Sequence, residues 1–366
     1  MSKIRIGFDT RDLFFAQTGT RTFTEELLWE IKSDPEVELV ELAPKRATKP
    51  KGFFSKALVH FAFIIWKTFT LPLLARKNRV DHLICPDYVA PFLFLGKIKT
   101  YPVFHGCNIW ELPKNYNRIW RFYFTILAIY GQKRAEKIIT VSEFSKSKII
   151  SVLGINKDKI EVIPLGPKRT GSERYRSEKA PSKYSFDYIL HVGVLDKRKN
   201  LPNLVRAFGE IKEKNIHLVL VGGRPSKKSM DSTSEISDAI LRSGLEHRVH
   251  LTGYVPDQEL SGYYQNARAY VFPSSYEGFG IPVLEAYSYG LPLIASSEGS
   301  LPEVVRGGGL LFDPSSEQEI TDKINEILTI DEFQSHKLRQ EQAKVLAWYN
   351  WHNSWKTLKK TIKNAS

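Results

Sequence analysis

Ser274-Ser275-Tyr276-Glu277-Gly278-Phe279-Gly280-Ile281-Pro282-Val283-Leu284-Glu285-Ala286 is the stretch whose reading decides the fold. The run before it, Ala269 to Phe272, is short, apolar and reads as a buried strand. Pro282 suits the first helical position and Gly290 the position just past the last, so a helix is predicted from about Pro282 to Tyr289. Glu277 then lies in a loop with Gly278 and Gly280, and Glu285 lies one turn inside the helix. On one continuous helix, residues with this spacing would point about 80° apart. Divided between loop and helix, both carboxylates can face one ligand. The backbone N–H groups from Gly280 to Val283 would be the unpaired donors of a helix start, which attract an anion. A nucleotide sugar suits this chemistry, with its diphosphate on the amides and its hydroxyls on the two carboxylates.

The segment EGFGIPVLEA, followed by YGLPLIAS and SLPEVV, resembles the donor-site signature of the retaining glycosyltransferases of family GT4, a Glu, seven residues and a second Glu. The likeness runs from Ile4 to about Ile362 and is closest to the mannosyltransferase-like branch. It implies a GT-B fold, with two Rossmann-like parallel-sheet domains facing a cleft and a C-terminal helix that returns to the first domain. It also implies a role for each matching residue. Glu277 would contact sugar hydroxyls and Glu285 the ribose, with Gly278, Phe279, Gly280 and Ile281 around the phosphates. In Gly193-Val194-Leu195-Asp196-Lys197-Arg198-Lys199-Asn200, Arg198 and Lys199 match the cations that stabilise the departing diphosphate. Arg offers forked donors and Lys a compact charge. Gly193, Gly222 and Val255, at strand ends, match the nucleotide pocket, and Gly19 matches the first glycine loop. His105 matches the histidine that orients the sugar from across the cleft, with Gly106 where the family commonly has Asp.

The remaining sequence is compatible with that reading. In 366 residues, 42% hydrophobic and 25% charged, two domains are expected. They are drawn at 1–168, a linker at 169–186, a second domain at 187–344, and a closing helix, Val345 to Ile362, that carries Trp348, Trp351 and Trp355. Strand–helix alternation occurs twice, as two parallel sheets require. Cys85 and Cys107 form no disulfide framework or metal spacing, so a reducing, cytoplasmic setting is expected. Met1-Ser2-Lys3 runs straight into IRIGF, so no targeting segment is expected. No Asp-x-Asp pair stands ready for a divalent ion, so neither metal nor cofactor is predicted. No G-x-G-x-x-G follows either first strand, which counts against a nicotinamide oxidoreductase.

The net charge of +13 is unevenly placed. Residues 1–168 hold 27 Lys and Arg against 16 Asp and Glu, or +11, and residues 169–366 hold 26 against 24, or +2. No nucleic-acid motif accompanies this charge. Phe53 to Ala75 is aromatic and apolar, is interrupted by His60, Lys67 and Pro72, and falls short of the ~18 residues of a spanning helix. With basic residues on both flanks, it reads either as an interfacial helix on anionic lipid or as a core helix. The expected enzyme moves a hexose, GDP-mannose leading as donor, to a lipid-linked or oligosaccharide acceptor in surface polysaccharide or lipopolysaccharide synthesis. It would work on the inner face of the cell membrane. A nucleotide-sugar 2-epimerase of similar architecture and a non-catalytic binding module are the rival readings.

Overall fold

The computed structural model describes residues 3–15, 19–44, 53–169, 182–225 and 227–365. The chain forms two compact units. One comprises Met1–Leu165 with Trp351–Ser366, and the other Gly166–Asn350. The expected linker lies largely outside the described residues.

In the first unit, β1 (Ile4–Asp9), β2 (Val37–Leu42), β3 (His82–Cys85), β4 (Lys99–Phe104), β5 (Ile138–Thr140) and β6 (Ile160–Val162) make one sheet in the order β2-β1-β3-β4-β5-β6. Every ladder is parallel. The short apolar runs HLIC and IIT are fully buried, as strands covered on both faces must be. The strand order reverses between β1 and β3. Ligands of such sheets bind outside the carboxyl ends of the strands at that reversal.

Residues 53–77 form one helical path, Phe53–Ile65, a π-helical turn Trp66–Thr70, and Leu71–Lys77. Among the described residues, Leu58–Lys77 is a helix long and apolar enough to cross a membrane, which corrects the expectation from run length. Its inner face is committed to the unit's core, where Trp66, Leu71 and Ala75 pack with Leu83 and Cys85. Its outer face leaves Leu58, Phe61, Phe69 and Leu73 exposed. The core reading therefore holds for the inner face of this helix, and the outer face is left exposed.

The expected final helix is two helices, Glu332–Trp348 and Trp351–Ala365, broken at Tyr349-Asn350. The second belongs to the first unit and buries Trp351, Trp355, Leu358 and Ile362. Trp355 Nε1 donates to Asp34 at 2.7 Å, and Lys359 bridges Asp34 and Glu36. Trp348, the first of the three tryptophans, lies before the break and is exposed.

The second unit holds β7 (Tyr188–Val192), β8 (His217–Val221), β9 (Val249–Gly253), β10 (Ala269–Phe272), β11 (Leu293–Ser296) and β12 (Leu310–Phe312). Its order is β12-β11-β10-β7-β8-β9, again all parallel. The reversal falls between β7 and β10. The chain leaves β7 into the Gly193–Lys199 turn and β10 into the loop that carries Glu277, so the two motifs meet at the position where the topology puts a ligand.

Candidate functional site

In the second unit, Asp196 builds the basic turn. One of its carboxylate oxygens accepts from the Arg198 backbone N–H at 3.0 Å, and the other accepts from the Arg198 guanidinium at 2.7 Å. Lys199 Nζ donates to Glu277 Oε1 at 2.7 Å and lies 4.5 Å from the centre of the Phe272 ring. Both partners are nearly buried, 11% and 14% exposed. Burial pushes the Glu277 carboxyl up, but Lys199 and Arg198 more than reverse this and hold it below the usual range. Lys227 stands close enough to Arg198 to feel its charge, and burial and that charge both lower its pKa. Lys227 was not foreseen from the sequence. Two cations, Arg198 and Lys199, are therefore paired with Asp196 and Glu277, and Lys227 stands near the first of them.

Glycines shape this crevice. A Cβ on Gly222 would lie 1.8 Å from the Gly193 carbonyl oxygen, so the turns after β7 and β8 close only with glycine at 222. A Cβ on Gly193 would press on Lys199 Cε at 3.3 Å. Gly280, with φ of +108°, precedes the helix Ile281–Ser288, whose start matches the predicted one. Val283 N–H is already bonded to the Gly280 carbonyl, and Pro282 has none, so the expected anion donors narrow to Gly280 and Ile281. Phe279 turns its ring inward against Tyr349, which leaves only its backbone for a ligand. Ser300 Oγ donates to the carbonyls of Glu277 and Phe279 at 3.1 and 2.7 Å, pinning the loop that Gly278 makes pliable. Gly299, with φ of +68°, would set a Cβ 2.9 Å from the Glu277 backbone.

Glu285 accepts from Tyr264 Oη at 2.8 Å. Its burial raises the carboxyl's pKa, and the Tyr264 bond only partly opposes that. Lys168 lowers it from a distance, so the two residues share one electrostatic neighbourhood. His191 is fully buried and donates from Nδ1 to the Val271 carbonyl at 3.0 Å. Burial and the Lys199 charge hold it neutral, with its pKa down at about 3. His191, Tyr264, Ser300 and Gly299 were not singled out from the sequence, since each acts through residues distant along the chain. Val255 is buried just past β9, and its neighbour Tyr254 is exposed.

In the first unit, His105 follows β4. Its Nε2 donates to the Pro86 carbonyl at 2.7 Å, which leaves Nδ1 as the acceptor. Burial lowers its pKa to about 4, so the ring is neutral. Gly106 has φ of +130°, a conformation that Asp would adopt only with strain, which is a backbone reason for glycine there. Gly19 opens the helix Gly19–Lys32 with no atom within 4 Å of a built Cβ. Gln17 and Thr18 of its loop lie outside the described residues.

At the carboxyl ends of β1 and β3 is a cluster the sequence reading did not foresee. Lys67 Nζ donates to Asp9 at 2.7 Å and also to Asp87, and Trp66 Nε1 donates to Asp9 at 3.1 Å. The π-helical turn points Trp66 and Lys67 inward together. Burial alone would lower the Lys67 pKa, but Asp87 and Asp9 reverse that and raise it. A lone lysine inside an apolar helix was the available signal, because a buried charge requires a partner.

Two α/β units, with paired cations and carboxylates at one sheet reversal, make a site suited to an anionic, hydroxyl-bearing ligand. Known proteins specify the family. Residues 22–167 match the model for Glycosyltransferase Family 4, and residues 174–345 match that for glycosyl transferases group 1. O-antigen chain mannosyltransferase B of Escherichia coli is 32% identical over 275 residues, 72% of this chain and 70% of that protein. O-antigen chain mannosyltransferase RfbU of Salmonella typhimurium is 28% identical, over 70% of this chain and 62% of its own length. Among solved structures, sucrose-phosphate synthase from Thermosynechococcus elongatus superposes with a TM-score of 0.72 at 19% identity, covering 99% of both chains. Anabaena HepE with UDP and glucose superposes at 0.71 and 16%, covering 99% of this chain and 100% of the other. The fold is GT-B, and the chain belongs to the group 1 (GT4) glycosyltransferases.

Proposed function

We propose that this glycosyltransferase moves a hexose, with mannose favoured, from a nucleotide diphosphate sugar to a lipid-linked or oligosaccharide acceptor in surface glycan synthesis. It does so with retention of configuration and without a metal ion. The observation that carries the reading is the nearly buried Lys199–Glu277 pair at the β7/β10 reversal. The preference for mannose is supported by the names of the O-antigen relatives.

Breaking the anomeric carbon–phosphate bond builds negative charge on the diphosphate and positive charge on the sugar. Arg198 and Lys199, with the amides of Gly280 and Ile281, take up the first, as preorganised donors do in low dielectric. These cations do the work a divalent ion would otherwise do. When the diphosphate recruits Lys199, Glu277 turns to the sugar hydroxyls. Glu285, held in place by the buried Tyr264 hydroxyl, offers its carboxyl to the ribose, and Gly193, Gly222 and Val255 offer backbone. His105, neutral with Nδ1 free to accept, takes a hydroxyl of the donor sugar. Glu277, turned to the sugar hydroxyls, is not the nucleophile in this reading: attack is front-face, the acceptor proton passing to a diphosphate oxygen.

Incubation with a panel of nucleotide sugars, with and without lipid-linked mannosyl acceptors and with chelator present, tests the reading. Nucleoside diphosphate released only with acceptor, undiminished by chelator, is the expected result. An isomerised donor would make the protein an epimerase, and tight binding without turnover would make it a binding module.

A further inference from the structure

His191 holds a buried nitrogen that no described residue satisfies. It stands on β7 opposite Leu220 of β8, inside the second sheet. Its ring is fully buried and nearly parallel to those of Tyr270 and Phe272, whose centres are 6.4 and 5.8 Å away. Nδ1 donates to the Val271 carbonyl, so Nε2 is an acceptor, and it has no hydrogen-bond partner among the described residues. A buried polar atom without a partner costs stability, and turning the ring over would only give up the bond to Val271.

The group nearest to hand is the Lys199 ammonium. A Cβ built on Gly193 would lie 3.1 Å from His191 Nε2, 3.3 Å from Lys199 Cε and 3.6 Å from Lys199 Nζ. The imidazole nitrogen and the end of the lysine therefore border the same small space over Gly193. The ammonium also lies on the Phe272 ring, against which the imidazole is stacked. We propose that His191 is a positioning residue for the leaving group: once Glu277 turns to the sugar, Lys199 donates one N–H to His191 Nε2 and keeps its other hydrogens for the diphosphate. This deepens the transferase reading and rests on that exchange of partners. An ammonium on a flexible stem has three donors and no direction of its own, so an acceptor must supply one. A second carboxylate would do so but would cancel the charge. A neutral nitrogen aims the lysine and leaves its charge to the diphosphate. Any side chain at 193 would fill the space that the ammonium enters, which is a reason for glycine there beyond its backbone.

Nitrogen-15 NMR on the full chain, labelled at histidine, tests this with no donor present. The His191 Nε2 resonance is identified by its loss in His191→Phe. Glu277→Ala removes both carboxylate oxygens, so Lys199 should turn to His191 and move the Nε2 resonance upfield, the sign of a nitrogen that accepts a hydrogen bond. Adding Lys199→Ala should return it to its wild-type position. A resonance unmoved in Glu277→Ala, or moved equally in the double variant, would overturn the proposal.

Kinetics supply a second arm. His191→Phe keeps a stacked ring and removes the acceptor, and it should slow transfer about tenfold, the worth of one hydrogen bond to a charged group. In the Lys199→Ala background the same change should slow transfer no further, because its effect passes through the lysine. His191→Gln, which restores an acceptor at similar reach, should regain most of the loss. An equal cost in both backgrounds would make His191 a packing residue and overturn the proposal. Absence of turnover in the wild-type chain, with the Nε2 resonance still moving in Glu277→Ala, would instead count against the donor reading.

Discussion

Lys199 and Glu277 come from loops 78 positions apart in sequence and meet at 2.7 Å. Removing the lysine leaves a nearly buried carboxylate without its partner and takes one cation from the leaving group. A lost contact of that kind costs about 3 kcal/mol, roughly 100-fold in rate. Glu277→Gln should act differently: it frees Lys199 for the diphosphate, so GDP binding measured by calorimetry tightens several-fold while transfer falls. Weaker GDP binding in that variant would contradict the exchange of partners. Glu285→Ala should weaken GDP binding far more than Lys344→Ala, which changes an exposed side chain. Lys168 would be a poor control, because its charge reaches Glu285. Much of this site was legible because its residues cluster in two short motifs whose glycines, proline and charges carry local instructions. His191, Tyr264, Ser300 and Lys227 were not legible, because each acts on a partner that only the folded sheet brings near.

At the scale of elements, Asp12 yields a prediction with a definite sign. Burial, with Asp87 adding to it, raises its folded pKa from 3.8 to about 7. Between those values the folded state binds more protons than the unfolded one, so this group contributes a loss of stability as pH rises. Asp12→Asn should therefore raise the melting temperature at pH 8, with the gain vanishing toward pH 4. An equal gain at both values would remove the electrostatic explanation. The closing helices make a packing prediction. Trp355 is buried and bonded to Asp34, so Trp355→Ala should destabilise by about 3–5 kcal/mol, whereas Trp348→Ala, on an exposed side chain, should change stability little in denaturant titration. The three tryptophans were visible in sequence, but the break at Tyr349-Asn350 carries no glycine or proline to announce it. The π-helical turn at Trp66–Thr70 was equally silent, since the tertiary demand of Asp9 and Asp87 on Lys67 sets it rather than local propensity.

Across the whole molecule, the half of the chain that carries the excess positive charge also exposes apolar side chains. In the first unit, Leu58, Phe61, Phe69 and Leu73 on one helix and Ile119, Phe122 and Tyr130 on another are exposed together. The facing sides of these helices touch through His60 and Tyr123 and through Phe63 and Phe124. Such a patch with basic flanks suits the interface of an anionic bilayer. Flotation with anionic liposomes should succeed, fade with salt, and be lost in a Phe61→Ser/Phe122→Ser double variant. Equal binding to neutral vesicles would refute the electrostatic part. The two-unit α/β architecture was readable because strand–helix alternation is written twice along the chain, while the extent of the exposed face depended on which helix sides the sheets bury. The most direct test of the central claim is a phosphorus-NMR time course with GDP-mannose and a lipid-linked mannosyl acceptor, for wild type and Lys199→Ala, with the product's anomeric configuration determined. The account predicts GDP formation only with acceptor, a product that keeps the donor's configuration, and a roughly 100-fold slower variant. GDP released equally without acceptor, an inverted product, or an unslowed Lys199→Ala enzyme would contradict it.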